Sequence, residues 1–126
     1  MGFRFGVVLR RVFQVVPLLS FGVAAQPVVA HSELRGSVPA IGAVLDCAPP
    51  QIELQFNEDV LLTALRLHQV GGDEIELPRR AIREATIETI ALPPLGAGDF
   101  RAEWRIISPD GHDVGGVIPF RILKEC

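Results

Sequence analysis

Phe100, Ala102, Trp104 and Ile106 alternate without a break with Arg101, Glu103 and Arg105. A period of two sends the apolar set to one side of an extended chain and the charged set to the other, which a helix of period 3.6 cannot do. Gln51-Ile52-Glu53-Leu54-Gln55-Phe56 repeats the pattern, and Ile118, Phe120 and Ile122 begin it again near the C-terminus. Before and between these rows stand chain breakers, among them Pro49-Pro50, Gly71-Gly72-Asp73 and Pro93-Pro94. No window carries a helical period. The pattern predicts an all-β domain, a Greek-key β-sandwich or small barrel of about seven short strands.

The segments between the clear rows are read in the same way. Ser37 to Ala43 carries Pro39 and Gly42 and predicts an irregular first strand and a turn. Asn57-Glu58-Asp59 predicts a turn that separates residues 51–56 from a second strand over 61–70. In that second strand Thr63, Leu65, Leu67 and Gln69 share one side, and Ala64, Arg66, His68 and Val70 the other. Gly71-Gly72-Asp73 turns the chain back through residues 74–77, and a charged, irregular connection over 78–84 leads to a strand at 86–92. Trp104 sits in an apolar row and is read as a core anchor rather than a ligand-stacking residue. Pro119 lacks the amide of a ladder bond, so its strand is placed at an edge or a bulge.

Composition separates the first thirty residues from the rest. Arg4, Arg10 and Arg11 precede a mainly apolar run from Val12 to Ala25, and Val28-Val29-Ala30 supplies small residues for cleavage. This is the pattern of a secretory signal, residues 1–30, followed by a domain over 31–126. An uncleaved membrane anchor and a cut after Ala25, leaving Gln26 first, are the alternatives. From residue 31 onward nine basic residues stand against fifteen acidic ones, a net of −6. Such a domain repels phosphate backbones, which excludes nucleic acid as a partner, and attracts cations. Cys47 and Cys126 are the only cysteines, and an oxidising compartment favours joining them. Two free thiols acting as metal ligands are the rival reading.

The chemistry gathers in Ile107-Ser108-Pro109-Asp110-Gly111-His112. In an extended chain residues i and i+2 project to one side about 7 Å apart at their bases, close enough for Asp110 and His112 to share an ion. A polar turn closing a hairpin is the plainer alternative. A chain beginning at His31 would add an α-amine and a second imidazole from one residue. Three nitrogens and one carboxylate oxygen suit a tetragonal Cu(II) ion, with zinc also chemically acceptable.

The chain resembles the CopC family of periplasmic copper-binding proteins. The resemblance rests on His31, on Ser37-x-Pro39-Ala40-x-Gly42-Ala43, on Leu54-x-Phe56-x-Glu58, on Gly98-x-Phe100-x-Ala102-x-Trp104, and on Ser108-x-Asp110-Gly111-His112 followed by Gly116 and Phe120. It implies a fold of cupredoxin or immunoglobulin type and a Cu(II) site formed by His31, Asp110 and His112. Glu58 falls in the Phe-x-Glu position and is placed around the site rather than on the metal; an acidic strand end is equally an ordinary solvated turn. Some relatives add a methionine-rich Cu(I) site, whereas the only methionine here is Met1, so Cu(II) alone is expected.

The resemblance further implies a monomeric periplasmic carrier that sequesters copper and hands it to a CopD-type membrane transporter, with no catalytic residues. Two other functions compete. An N-terminal histidine paired with another histidine also resembles the copper site of oxidative monooxygenases. Cleavage after Ala25 would instead suit a metal-free immunoglobulin-like interaction module.

Overall fold

The computed structural model describes residues 2, 6, 14–20, 22 and 32–126. The expected signal segment and His31 fall largely or wholly outside these residues. Among the described residues there is no helix, and the chain forms seven strands. They are β1 (Leu34–Val38), β2 (Ala43–Leu45), β3 (Gln51–Gln69), β4 (Glu74–Ile75), β5 (Glu84–Ala91), β6 (Gly98–Ile107) and β7 (Asp113–Ile122). The strands join in one curled sheet of order β1-β3-β6-β7-β2, with β4 and β5 added on β3. The all-β architecture agrees with the alternating rows.

The core is built from those rows. Phe100, Ala102, Trp104 and Ile106 of β6 are buried together with Ile118, Phe120 and Ile122 of β7 and Ile52, Leu54 and Phe56 of β3. Trp104 meets Phe56 edge to face at 5.5 Å, and Phe100 stacks on Phe120 at 5.5 Å, both favourable ring arrangements. Trp104 is thus a core anchor, as its place in the row predicts. Gly116 lies against the indole so closely that a Cβ there would sit 2.7 Å from Trp104 Cζ2.

The turn expected at Asn57-Glu58-Asp59 is absent. β3 runs unbroken through it for 19 residues, and register shifts between Gln55 and Val60 mark a bulge. These polar residues are turn formers by composition, but here they bond to other segments. Asn57 Oδ1 accepts the Glu33 amide at 2.9 Å, and Asp59 Oδ1 accepts the Thr86 hydroxyl at 2.6 Å. A second shift, between Leu62 and Ala64, moves Thr63 out of the row it was expected to share with Leu65 and Leu67. Thr63 is exposed and its hydroxyl donates to the Arg105 carbonyl at 3.2 Å.

Two further details depart from the plain alternation. β7 is flanked by β6 and, in parallel, by the three-residue β2, whose pairing begins at Ala43 opposite Phe120. Pro119 therefore stands just beyond that short strand, and its carbonyl accepts from the Gly42 amide at 2.7 Å. Carbonyl and nitrogen of one strand residue face the same neighbour, so the missing amide faces the Gly42 turn rather than β6. In β5 the carboxylate of Glu88 points inward, 5% exposed, with Oε1 unpartnered among the described residues. An inward-pointing acidic side chain on a strand that pairs on one edge only is a known guard against edge-to-edge association.

Cys47 and Cys126 form a disulfide, with Cα atoms 5.6 Å apart and a sequence separation of 79. This removes the free-thiol reading. It also ties the C-terminus to the segment that follows β2.

Candidate metal centre

The course of β3 decides what lies near what. β5 pairs with β3 along residues 51–55 and again at 60–61, so it occupies one edge. β1 pairs with residues 53–56 and β6 with residues 61–69, and both must take the opposite edge. Both run antiparallel to β3. The chain entering β1 and the chain leaving β6 therefore converge on the bulge at residues 57–61.

On the β6 side the convergence brings the loop of residues 108–112. The Gly111 amide donates to the Ser108 carbonyl at 2.9 Å, closing a β-turn, and Ser108 N donates to the His112 carbonyl at 2.9 Å. Pro109 presets the first central position of that turn. Gly111 adopts φ +86°, a conformation that glycine takes without a Cβ penalty.

Ser108 is 5% exposed and organises the loop from beneath. Its hydroxyl donates to Asp110 Oδ1 and accepts the His112 amide at 3.1 Å. Asp110 Oδ2 lies 2.7 Å from His112 Nδ1, and the two side chains remain 42% and 70% exposed. The Ser108 hydrogen bond, with the His112 contacts behind it, holds the Asp110 carboxyl down at about 2. It is therefore ionised at neutral pH. A carboxylate on Nδ1 favours the tautomer whose Nε2 lone pair is free.

On the β1 side the same bulge holds the start of the described domain. Ser32 is buried and its hydroxyl donates to Glu58 Oε1, while the Glu33 carbonyl accepts from the Asn57 amide at 3.2 Å. Glu58 thus anchors the residue that follows His31. Asp59 lines a cleft of about 220 Å³ together with Ser108 and Gly111, which puts the bulge and the loop side by side.

Of the three site residues expected from sequence, the structure brings Asp110 and His112 together; His31 lies outside the described residues. No cluster of three or more histidine, cysteine or acidic side chains suited to a metal occurs among the described residues. His68 lies apart, 3.8 Å from Glu103 on the outer face of the sheet. Ser32 carries no motif that marks it in the sequence, and Ser108 opens the Ser-x-Asp-Gly-His motif without a role assigned to it. The only signal for Ser32 is adjacency to His31.

Residues 34–123 match the family described as the CopC domain. The copper transport protein CutJ of Bacillus subtilis is 36% identical over 100 residues, which is 75% of this chain and 18% of CutJ. The chain thus spans less than a fifth of that relative. Copper resistance protein C of Pseudomonas syringae pv. tomato is 29% identical over 103 residues, covering 74% of this chain and 81% of the relative. Among solved structures, CopC from Methylosinus trichosporium OB3b superposes with a TM-score of 0.63 at 22% identity, over 74% of this chain and 94% of that one, a likeness of fold. PcoC, a methionine-rich copper resistance protein from Escherichia coli, gives 0.57 at 28% identity, over 74% and 99%.

Proposed function

The chain belongs to the CopC domain family, and from that membership we propose that it binds Cu(II) as a cargo, through the amine and imidazole of His31 with Asp110 and His112. The observation that carries this reading is the 2.7 Å contact of Asp110 with His112. It sets an ionised carboxylate against Nδ1, which leaves the Nε2 lone pair of the imidazole free for an ion. The anchoring of Ser32 by Glu58 beside the same loop supports a donor supplied from the residue before it.

The chemistry of the donor set favours a carrier over an enzyme. Nitrogen and carboxylate donors suit Cu(II), and a carboxylate takes up a position that oxygen chemistry needs open. With Met1 the only methionine, no thioether set is at hand for Cu(I). The protein then sequesters or carries Cu(II) in the periplasm after export and delivers it to a membrane transporter of the CopD type, acting as a monomer. Isothermal titration of the exported protein, with its N-terminus sequenced, tests this. One tight Cu(II) per chain beginning at His31 supports the reading, and equal binding by a chain beginning at Gln26 contradicts it.

A further inference from the structure

A cavity of about 660 Å³ lies outside the loop that carries Asp110 and His112. It opens where β3 is without a strand partner on one edge. β5 pairs with β3 up to Leu61, and β4 pairs from Leu67 on that same edge. Residues 62–66 lie between them, and part of the gap is filled by Arg80, whose guanidinium donates to the Leu62 carbonyl at 2.8 Å. Leu65, Ile75, Leu77 and buried Ile90 make an apolar lining. A volume of several hundred Å³ with such a lining is typical of a binding pocket.

The charges around it are distinctive for this chain. From residue 31 on the net charge is −6, yet Arg79, Arg80 and Arg83 follow one another with no acidic residue between Leu77 and Glu84. Arg66 and Arg79 line the cavity with Arg80. Neither Arg66 nor Arg79 has an ion pair among the described residues. Glu74 and Glu76 form the side toward β4, so three arginines stand against two carboxylates around the opening. An unpaired strand edge accepts an extended peptide through backbone hydrogen bonds. Arginine forks pair with carboxylates. A flat anionic bilayer fits neither the concave lining nor the acidic side.

We propose that this cavity is a docking groove for an extended acidic segment of a partner protein. The segment adds to β3 along residues 63–66, sets apolar side chains on Leu65 and Ile90, and turns its carboxylates toward Arg66 and Arg79. The docking itself is independent of copper, whereas its use in a copper handover rests on the function proposed above.

The test uses metal-free protein and a fluorescein-labelled peptide of alternating glutamate and leucine, with the lysine–leucine analogue as control. Saturable anisotropy is expected for the acidic peptide only. The double variant Arg66→Glu, Arg79→Glu, with unchanged circular dichroism, should weaken it by about tenfold or more. Amide shifts on binding should centre on residues 63–66 and 79–80. Equal binding of both peptides, no loss in the double variant, or capture by phosphatidylglycerol vesicles without peptide binding overturns the proposal. A separate Cu(II) titration of the double variant should match the parent, so failure of the metal reading is recognised independently.

Discussion

His112 Nδ1 stands 2.7 Å from the Asp110 carboxylate, and both residues are bonded to the same buried Ser108 hydroxyl. The pair is thus set from below by one side chain while its outer face stays open to solvent. Removing the Ser108 hydroxyl should release it. In metal-free Ser108→Ala the Asp110 carboxyl should titrate above the parent's value of about 2, toward the ordinary 3.8. Carboxyl carbon shifts followed by NMR against pH report this directly, and an unmoved midpoint would show that Ser108 does not hold the group.

The same depression sets a pH dependence. A carboxylate whose folded-state pKa lies below its unfolded value stabilises the fold above the unfolded value, and that stabilisation is lost as pH falls through the folded one. For Asp110 the window runs from about 4 down to about 2. Metal-free protein should therefore lose stability in urea across that window, and Ser108→Ala should lose less. Parallel losses in both proteins would assign the acid sensitivity to other groups.

Cys47→Ser opens a bridge that spans 79 residues. A loop of that length corresponds to about 4 kcal/mol in the chain-entropy treatment, so thermal and urea midpoints should fall clearly. The Cu(II) spectrum should not change, because the bridge contributes no donor. A changed spectrum would return the cysteine to the ligand set.

Gly116→Ala places a Cβ 2.7 Å from the Trp104 ring. The indole is buried and packed against Phe56, so overpacking should cost about 1–3 kcal/mol. Urea unfolding and tryptophan fluorescence check this; an unshifted midpoint would mean that the ring has room to move.

Ser32→Ala removes the bond to Glu58 and leaves the core rows untouched. On the proposed site it should weaken Cu(II) binding several-fold with little change in the melting temperature. Unchanged affinity would separate the Glu58 anchor from the metal.

Much of the fold is legible in the sequence, for a physical reason. Phe100 to Ile106 and Ile52 to Phe56 lie in antiparallel strands with one buried face, and such strands write their orientation into every second residue. The bulges of β3 leave no comparable trace. Asn57 and Asp59 look like turn formers, and their true partners, Glu33 and Thr86, are distant in sequence. The pairing of β2 with β7 rests on three residues, too few for a period. At the site, the spacing puts Asp110 and His112 within reach of each other, but a turn at residues 108–111 rather than an extended run brings them together. The part of Ser108 does not follow from spacing, because serine in a Pro-Asp-Gly turn is equally an ordinary turn residue.

The most direct measurement is electron paramagnetic resonance of one equivalent of Cu(II) added to the protein that begins at His31, beside its His112→Ala variant. A single tetragonal signal with coupling to several nitrogens is predicted for the parent, and loss of that signal with an unchanged fold for the variant. The same signal at the same affinity in both proteins would contradict the assignment of the site.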